Sequence, residues 1–340
     1  MTQTSPPMTQ TPELAGPLAA DRFEVVSSVL DLVRMGGAIF LRADFTAPWA
    51  YASPPGKDLA AAFIPGATSL VLFHLIGEGE CWIRLDDGTT RQLSRGDVVV
   101  MPYGDAHSVG HPDGVEPVPI STLLPPWPWT EFPSIRHGGD GDYTLVVCGY
   151  LHGDAVLFDP LLRALPPLFV VRPPAGPAAT WVSASIEYAL MASEAGGGTS
   201  GVGPRLPELL FSEVLRLYLQ SGEAELTGWL AALGDPVVGD ALCRLHGDPA
   251  HDWSVPELAA AVAVSRSVLV ERFGQLLGRP PIRYLTEWRL SLASGLLRTT
   301  TMSVREIGAT VGYNSEETFS RAFKRGLGQA PAHWRAAAAG

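Results

Sequence analysis

The chain has 340 residues, of which 46% are hydrophobic and three are cysteines. The length predicts about two domains, the apolar content excludes a disordered chain, and three cysteines exclude a small secreted scaffold held by disulfides. The formal net charge is −11, yet residues 251–340 hold eleven Arg or Lys against seven Asp or Glu, a net of +4, and residues 1–250 hold the remaining −15. An acidic body followed by a basic C-terminal region predicts an anionic partner for that region.

The N-terminus, residues 1–20, is rich in Thr, Pro and Gln and lacks the basic start and apolar run of a signal peptide. We expect these residues to be disordered. No apolar stretch approaches the ~20 residues that cross a bilayer, so we expect no membrane partner and a soluble, cytoplasmic protein with reduced cysteines. Residues 21–35 place apolar side chains near the helical period, which predicts one short helix.

A region rich in β-formers runs from Gly36 to Val171, with Gly, Pro and Asp clusters between its short apolar runs. This pattern is typical of an all-β sandwich or barrel, and we assign residues 21–175 to one N-terminal domain. Residues 113–142 are predicted to form a long loop rich in Pro, Gly and Trp. The apolar runs predict strands at residues 38–42, 69–76, 80–85, 97–101, 144–149 and 168–171.

One motif in this region specifies local geometry, since the segment Gly96–His107 reads GDVVVMPYGDAH. Gly96 predicts a turn into a buried strand, Pro102 and Gly104 predict a hairpin, and His107 then points into the mouth of a barrel. The spacing resembles the second sequence motif of cupins, which implies a cupin-like β-barrel able to hold one small ligand or a metal. The first cupin motif, His-x-His followed by Glu, is not present in the sequence, so the resemblance does not extend to the metal centre of cupin enzymes.

A set of candidate metal ligands lies on or beside the predicted strands: His74, His107 and Cys148. Two neutral imidazoles and a thiolate form a good ligand set for Zn²⁺, with Cys81, Asp44 or water as the candidate fourth ligand. A thiolate held by zinc can also be oxidised, which would make Cys148 or Cys81 a redox sensor. Two alternatives stay open: the histidines and cysteines only fill the barrel by packing, or the barrel binds a small-molecule effector without a metal.

Helical patterns begin near residue 176 and predict helices at residues 181–193, 204–220 and 237–246, with a Gly-rich break at residues 196–203. We assign residues 176–250 to a helical connector. In the helix at 204–220 one apolar stripe predicts a core-facing side. Leu215 and Leu219 widen that stripe, which leaves a dimerisation helix as the alternative.

The C-terminal region contains one structural unit twice. Residues 253–278 read WSVPELAAAVAVSRSVLVERFGQLLG and predict helix, tight turn and helix. Ser254 and Glu257 give a capping-box pattern at the first helix, and Ser265 is placed to cap the second. Residues 302–328 read MSVREIGATVGYNSEETFSRAFKRGLG and repeat this pattern, with Asn314 or Ser315 as the cap of the second helix.

The two units are joined by a long predicted helix at residues 281–298, in which Tyr284, Trp288, Leu292 and Leu296 recur every four residues. Two helix-turn-helix units on one rigid helix suit duplex DNA, because the second helix of each unit enters a major groove. An ordinary helical bundle is the alternative. The outward positions favour DNA, since Arg and Lys suit phosphates while Ser, Arg and Glu address base edges.

The segment IGATVGYNSEETFSRAFKRGLGQAPAHWR, residues 307–335, strongly resembles the C-terminal signature of AraC/XylS-type bacterial transcription regulators. Residues 258–290, LAAAVAVSRSVLVERFGQLLGRPPIRYLTEWRL, are similar to the first helix-turn-helix unit and linker helix of that family. The resemblance implies that residues 251–340 form a DNA-binding domain, in which the start of each second helix reads bases. Pairing this domain with a cupin-like sensor is also typical of such regulators.

Carried over by position, the resemblance assigns base reading to three residues of each unit and phosphate contact to their neighbours. The first-unit readers Val270 and Glu271 lack donors, which predicts weak discrimination or contacts to cytosine N4 and thymine methyl groups. The implied readers are Ser267, Val270 and Glu271 with Glu316, Glu317 and Arg321, and the implied flanking contacts are Arg266 and Arg272 with Ser315, Thr318, Lys324 and Arg325.

The expected fold class is α+β, with an N-terminal cupin-like β-barrel, a helical connector and a C-terminal all-α pair of helix-turn-helix units joined by a long helix. The expected function is a sequence-specific transcription regulator, not an enzyme, whose cupin-like domain senses a small molecule, a metal or an oxidant. Its expected partners are an operator in double-stranded DNA, an effector in the barrel, RNA polymerase for an activator, and a second copy in a homodimer. The alternative is a metal-dependent cupin enzyme fused to a DNA-binding domain.

Overall fold

The structure is a computed structural model that describes residues 20–32, 35–63, 70–125, 133–153, 162–194, 206–221 and 227–339. The predicted disordered segment at residues 1–20 lies outside these ranges except for Ala20, and the Gly-rich break at 196–203 also lies outside them. The strands are β1 (Met35–Thr46), β2 (Trp49–Ser53), β3 (Val71–Glu78), β4 (Glu80–Leu85), β5 (Thr90–Ser94), β6 (Val98–Met101), β7 (His107–His111), β8 (Val118–Pro119), β9 (Ser134–Gly138), β10 (Tyr143–Gly153) and β11 (Phe169–Val171). The helices are α1 (Ala20–Leu32), α2 (Gly56–Phe63), α3 (Pro177–Glu194), α4 (Leu206–Gln220), α5 (Gly228–Gly234), α6 (Val238–Gly247), α7 (Val255–Ala261), α8 (Arg266–Leu277), α9 (Pro281–Thr299), α10 (Val304–Thr310), α11 (Glu316–Leu327) and α12 (Pro331–Ala339).

The strands form two sheets that face each other across one core. The first sheet has the strand order β11-β6-β3-β10-β1-β9, and the second has the order β5-β4-β7-β2-β8. Neighbouring strands run antiparallel except in the β1–β9 and β2–β8 pairs. The core joins Phe45, Leu72 and Met101 of the first sheet to Tyr51 and Ile83 of the second. The predicted α+β fold class is confirmed, and the described strands pair as two sheets instead of one closed barrel.

Strand β3 shows why the first sheet is apolar on both faces. Successive side chains of a strand point to opposite faces, so Leu72, His74 and Ile76 face the second sheet while Phe73 and Leu75 face outward. Helices of the connector cover that outer face. All side chains from 71 to 76 are therefore buried, which gives the continuous apolar run that sequence inspection detects.

The sequence predicted the longer apolar strands but not several short ones. Strands β2, β5, β7 and β9 and helix α2 were not predicted, and the predicted loop at residues 113–142 contains β8, β9 and a short 3-10 helix at Ile120–Thr122. Segments such as TRQLS in β5 and SIRHG in β9 hold too few apolar residues to predict a strand. Their extended form depends on pairing with β4 and β1, respectively.

The connector packs one core across the domain junction. Helix α4 lies against the outer face of the first sheet, and its Leu215 and Leu219 are buried within the single chain. The wide apolar face of α4 is thus explained without a second copy. The same core continues through α5 and α6 to Leu269 and Phe273 of α8 and Leu285 of α9. The first helix-turn-helix unit therefore shares a continuous core with the N-terminal domain.

The second helix-turn-helix unit has a core of its own. Helix α9 joins both units, because its first half packs against the body and its second half packs against α10, α11 and α12. Along the predicted apolar repeat of α9, Trp288 is buried, while Tyr284, Leu292 and Leu296 are half-buried and pack against the two cores. No helix in the described part of the chain has the length and apolar character to span a membrane. The fully or nearly buried residues of the second core are Leu290, Ala293, Leu297, Ile307, Val311, Phe319, Ala322 and Phe323.

Candidate nucleic-acid interface and sensor site

The first unit consists of α7, a tight turn and α8. Ser254 caps α7, since its hydroxyl oxygen accepts the backbone N–H of Glu257 at 3.3 Å. The predicted capping box is only half formed, because the Glu257 carboxylate accepts a hydrogen bond from Nε2 of His251 at 2.8 Å. Ser265 caps α8 as predicted by accepting the N–H of Val268 at 3.3 Å. Local cap chemistry therefore defines both helix starts of this unit.

The second unit, formed by α10, a turn and α11, has complete caps. Ser303 and Glu306 form a full capping box at α10. Ser315, and not Asn314, caps α11, since its hydroxyl oxygen accepts the N–H of Thr318 at 3.2 Å. The predicted DNA contact Ser315 therefore uses its side chain to define the start of the reading helix.

The turns of the two units share one backbone conformation. Ala263 has φ of 55° in the first unit, and Gly312 has φ of 89° at the matching place in the second. A non-glycine residue in this left-handed region is uncommon. A side chain would not fit at Gly312, because a Cβ there would lie 2.7 Å from the carbonyl oxygen of Ala250. Gly278 and Gly328 end α8 and α11 in the same left-handed conformation.

Most predicted DNA-binding side chains lie exposed on the two reading helices, α8 and α11. Arg321 contacts Glu317 at 3.4 Å, and 72% of the Arg321 side chain is exposed. Such an exposed pair contributes little to stability, so it leaves Arg321 available to a base. The predicted residues that are exposed are Arg266, Ser267, Val270, Glu271, Ser315, Glu316, Glu317, Thr318, Arg321, Lys324 and Arg325.

The charges on α11 have a structural role as well. Glu316 and Glu317 lie in its first turn, and Lys324 and Arg325 lie in its last turn. This order complements the helix dipole, which favours acidic groups at the N-terminus and basic groups at the C-terminus. Part of this charge pattern is therefore explained by helix stability alone.

Sequence reasoning missed Val268 on the first reading helix. Val268 and Val270 are both exposed, although they are large apolar residues. Val268 precedes the buried Leu269 and so lies off the apolar stripe that packs inward, which is the signal that could have identified it. Two exposed valines suit apolar contact with thymine methyl groups in a major groove.

Arg272 differs from the other predicted phosphate contacts. Its Nη2 donates a hydrogen bond to Oδ2 of Asp235 at 2.6 Å. Asp235 lies in the turn between α5 and α6. Sequence reasoning missed Asp235 because α5 was not predicted. In the structure, Arg272 therefore binds the connector through Asp235.

The candidate sensor site centres on His74 of β3 and His107 of β7, whose Nε2 atoms lie 2.7 Å apart inside the N-terminal core. Nδ1 of His107 lies 2.9 Å from the carbonyl oxygen of Asp105, which places a proton on that nitrogen. Nε2 of His107 then accepts the hydrogen bond from Nε2–H of His74. Nδ1 of His74 is left as a buried lone pair, with no hydrogen-bond partner among the described residues.

The histidine pair is held in its neutral form. Burial lowers the pKa of His74 well below its usual value, and the neighbouring His107 lowers it further. Burial also lowers the pKa of His107. Neutral imidazole is the form that binds a metal or accepts a hydrogen bond. The pair is thus ready to meet a cation or a hydrogen-bond donor at neutral pH.

Cys148 does not complete a metal site with this pair. It lies opposite His74 in the β3–β10 ladder, but its Sγ is 4.0 Å from the hydroxyl oxygen of Tyr51. Burial raises the pKa of Cys148 and of Cys81 to about 12, so both are neutral thiols and not thiolates. Within the ranges that the structure describes, no three His, Cys, Asp or Glu side chains cluster as a metal site requires. The predicted three-ligand set is therefore not assembled.

Asp44 is excluded as a fourth ligand by the alternation of β1. Ala43 and Phe45 face the core, so Asp44 between them points to the opposite side. There it pairs with Arg42 at 3.0 Å and accepts a short hydrogen bond from the Tyr143 hydroxyl. Burial raises the pKa of Asp44, but the bonds from Arg42 and Tyr143 outweigh it and keep the pKa below its usual value.

Aromatic rings fill much of the core between the sheets. The rings of Phe45 and Trp49 are stacked, with centroids 4.0 Å apart, and those of Phe45 and Tyr51 are 5.6 Å apart. All three side chains are buried. These stacked rings indicate that the core next to the polar histidine pair is mainly filled by apolar packing.

A groove outside the core offers space for a small molecule. It has a volume of about 560 Å³ and is lined in part by Lys57, Asp86, Asp87 and Asp105. It lies next to the start of β7, where Leu85 pairs with His107.

Comparison with known proteins agrees with both halves of this description. A family model described as Cupin matches residues 24–220, and one described as Helix-turn-helix domain matches residues 258–337. A putative AraC-like transcription regulator of Streptomyces antibioticus is 33% identical over 81% of this chain and 89% of its own length. The HTH-type transcriptional regulator AlkR of Acinetobacter baylyi is 31% identical over 81% of this chain and 90% of its own. The solved structure of a regulator with an AraC-type DNA-binding domain from Chromobacterium violaceum is 32% identical, covers 31% of this chain and 93% of that chain, and has a TM-score of 0.30.

Proposed function

Because the chain belongs to the AraC-type family of DNA-binding transcription regulators and carries an N-terminal cupin domain, we propose that both helix-turn-helix units read one operator under the control of a signal at the histidine pair. The observation that carries DNA reading is the duplicated unit, with separately capped and exposed helices α8 and α11. We place these helices in two major grooves about one helical turn, ~34 Å, apart.

Within each reading helix we assign roles by exposure and chemistry. In α11, Glu316, Glu317 and Arg321 address bases, while Lys324 and Arg325 contact phosphates. In α8, Ser267, Val270 and Glu271 address bases, together with Val268, and Arg266 contacts a phosphate. The net charge of residues 251–340 is only +4, which supports weak nonspecific binding and a dependence on a good operator.

The test of DNA reading starts from a library of random duplexes, because such a library contains the operator half-sites whatever their sequence is. Full-length protein should enrich duplexes with two recurring half-sites about one helical turn apart. Affinity for the selected duplex should fall steeply with salt concentration, as expected when phosphates are contacted. Failure to enrich any sequence, or binding that ignores salt, would contradict the proposal.

For the signal, we propose that the ligand contacts Nδ1 of His74, whose ring His107 holds through the hydrogen bond between their Nε2 atoms, and that Cys148 takes no part. The lone pair on Nδ1 of His74 supports this, because a buried polar atom without a partner is costly and calls for a donor or cation. The free nitrogen of a neutral imidazole fits Zn²⁺, which accepts nitrogen ligands, but it fills only part of the usual shell. When bound there, zinc would supply a positive charge next to a buried pair that carries none.

Metal analysis of the purified protein tests this proposal, with variants that separate the ligands. We expect bound zinc in the wild type to be lost in His107→Gln and in His74→Gln, and to be retained in Cys148→Ser. A wild type purified in zinc-containing medium without bound metal would contradict zinc at the pair. Loss of metal in Cys148→Ser would restore the cysteine to the site.

Other partners follow from the proposed function. An operator-binding regulator acts where the chromosome is, so we propose a cytoplasmic location, with RNA polymerase as the partner of an activator. The names of the relatives, which are transcription regulators, support a regulator over a metal-dependent cupin enzyme.

For a homodimer we propose an interface formed by the exposed apolar side chains Trp181, Tyr188 and Met191 of α3 with Leu209 of α4. This interface replaces the one predicted at Leu215 and Leu219, which are buried within the chain. Tyr188→Lys should then lower the sedimentation coefficient to that of a single chain.

A further inference from the structure

The turn between α5 and α6 is organised by one carboxylate, that of Asp235. Its Oδ1 accepts the backbone N–H groups of Val237 at 2.9 Å and Val238 at 2.8 Å, which satisfies free donors at the start of α6. Its Oδ2 accepts a hydrogen bond from Nη2 of Arg272 at 2.6 Å. Both oxygens are used, and only 12% of the Asp235 side chain is exposed.

The same turn is held from the other side by α1. Nη1 of Arg22 donates to the carbonyl oxygens of Leu233 at 2.7 Å and Asp235 at 3.1 Å, and its Nη2 pairs with Asp240 at 3.0 Å. Gly239 makes room for this arginine, since a Cβ there would lie 2.7 Å from Nη1. One turn thus binds an arginine of the N-terminal helix and an arginine of the first reading helix.

Packing around the turn keeps these contacts together. Helix α5 packs against α8, and α1 packs against α6. Leu230 and Leu233 of α5 are buried in the same core as Leu269 and Phe273 of α8. Apolar contact alone is non-directional, whereas a charge-assisted hydrogen bond fixes geometry. The hydrogen bond between Asp235 and Arg272 therefore fixes the orientation of α8, which apolar packing alone does not.

We propose that Asp235 is a positioning residue for DNA reading, which holds Arg272 and thereby the orientation of α8 relative to the connector and α1. This inference rests on the proposed function. It assigns Arg272 to the connector and not to a phosphate. Reading of the operator half bound by the first unit then depends on the N-terminal part of the chain, while the second unit, with its separate core, reads its half independently.

The test uses the full-length protein and the duplex that the wild type selects from a random library. Asp235→Asn is the informative variant, because Asn keeps an oxygen that caps α6 well but removes the charge that holds Arg272. The measured quantity is base discrimination, the ratio of affinities for the selected duplex and for one with changed bases in a single half-site. We expect discrimination in the first half-site to fall roughly 5-fold, the scale of one coupling between contacting residues. Discrimination in the second half-site should not change.

Two further variants separate positioning from direct contact. Arg272→Gln should give the same loss, and the double variant should lose no more than either single one, because each removes the same pair. Glu213→Gln is the control, since it removes one negative charge from the connector but its partner, Arg216, lies in the same helix, α4. Its discrimination should equal that of the wild type.

Several outcomes would overturn this role. Arg272→Gln could weaken binding to all sequences and reduce the salt dependence, which would identify Arg272 as a phosphate contact. Equal losses in both half-sites, or additive losses in the double variant, would also contradict positioning by Asp235. If the wild type selects no duplex, it is the proposed function that fails.

Discussion

The hydroxyl of Tyr284 donates a hydrogen bond to Nε2 of His246, 2.8 Å away, at the junction of the two domains. Nε1–H of Trp229 donates to this hydroxyl at 2.9 Å, and the direction towards His246 follows because Nε2 is the unprotonated nitrogen of that ring. Nδ1–H of His246 donates in turn to Oγ of Ser28 at 3.1 Å, and Ser28 donates to the carbonyl oxygen of Val25 at 2.7 Å. These bonds all run in one direction and join α5, α9, α6 and α1.

Removing the hydroxyl of Tyr284 should destabilise the whole chain. Tyr284→Phe leaves the N–H of Trp229 and Nε2 of His246 without their partner in a buried place, which should lower the free energy of unfolding by about 2 kcal/mol. Urea denaturation measures this loss. Thr301→Val is the control, because it removes a hydroxyl from an exposed residue and should lose less than ~0.5 kcal/mol. Equal losses in the two variants would mean that the Tyr284 hydroxyl is not part of a buried chain.

Acid should destabilise the protein in part through His246. Burial lowers the pKa of His246 to about 3, whereas an unfolded histidine titrates near ~6.5. Between these two pKa values the unfolded chain therefore binds a proton at His246 that the folded chain does not bind. Stability consequently falls as the pH drops from 6.5 towards 3. At pH 5 this histidine should cost about 2 kcal/mol relative to neutral pH.

The slope of stability against pH checks this assignment. His246→Gln should flatten the slope between pH 6.5 and 4.5, while the exposed His333→Gln should match the wild type. His74 and His107 contribute in the same direction, because burial lowers the pKa of each, so some slope should remain. An unchanged slope in His246→Gln would show that this imidazole accepts a proton in the folded protein.

Exchanging alanine and glycine at the two matching turn residues, Ala263 and Gly312, should change the free energy of unfolding in opposite directions. Ala263 is exposed and has φ of 55°, so Ala263→Gly should relieve strain and raise the free energy of unfolding by about 0.5 kcal/mol. Gly312→Ala should lower it by more than about 1 kcal/mol, because its Cβ would lie 2.7 Å from the carbonyl oxygen of Ala250. Thermal unfolding of both variants compares them. Destabilisation by Ala263→Gly would indicate that its methyl group packs in the folded chain.

Arg321 should matter for base choice and not for folding. Arg321→Ala should weaken binding to the selected duplex by ~1–3 kcal/mol and relax specificity at one base position in the second half-site. Gel-shift titration against single-base variants of that half-site measures this. Arg91→Ala removes the same charge from β5 in the N-terminal domain and should bind like the wild type. Unchanged discrimination in Arg321→Ala would remove this residue from the readers.

The two core cysteines should be unreactive until the protein unfolds. With a pKa of about 12, Cys148 and Cys81 hold almost no thiolate at pH 8, and the thiolate is the reactive form. In a Cys243→Ser variant, a thiol reagent such as DTNB should detect no fast-reacting group in the native protein and two groups after denaturation. Rapid native labelling would support redox sensing at this pair.

Local chemistry explains which parts of the structure could be predicted. Ser265 and Ser315 define the starts of the reading helices through bonds to residues three positions away, so the sequence alone predicts exposed helices there. Gly96 and Gly104, both at positive φ, likewise direct His107 into the core. In each case the signal and its effect lie within a few residues of each other.

Long-range contacts explain the rest. Helix α5, GWLAALG, is short and has glycine at both ends, and it is held by contacts such as the bond from Trp229 to Tyr284. Its omission also hid Asp235 and the true partner of Arg272. The sequence predicted a strand at Cys148 and grouped this residue with His74 as a metal ligand, but the Tyr51 hydroxyl near its sulfur comes from the other sheet. Such distances depend on how the two sheets pack.

The unequal attachment of the two reading units gives a bound chain a direction along the duplex. The first unit continues into the acidic body through one core, and the second unit ends at α12 with a core of its own. A single copy on its operator would therefore carry its body beyond one end of the site only. Inverting the operator in a promoter would move the body to the opposite flank, so regulation should depend on operator orientation even where affinity does not.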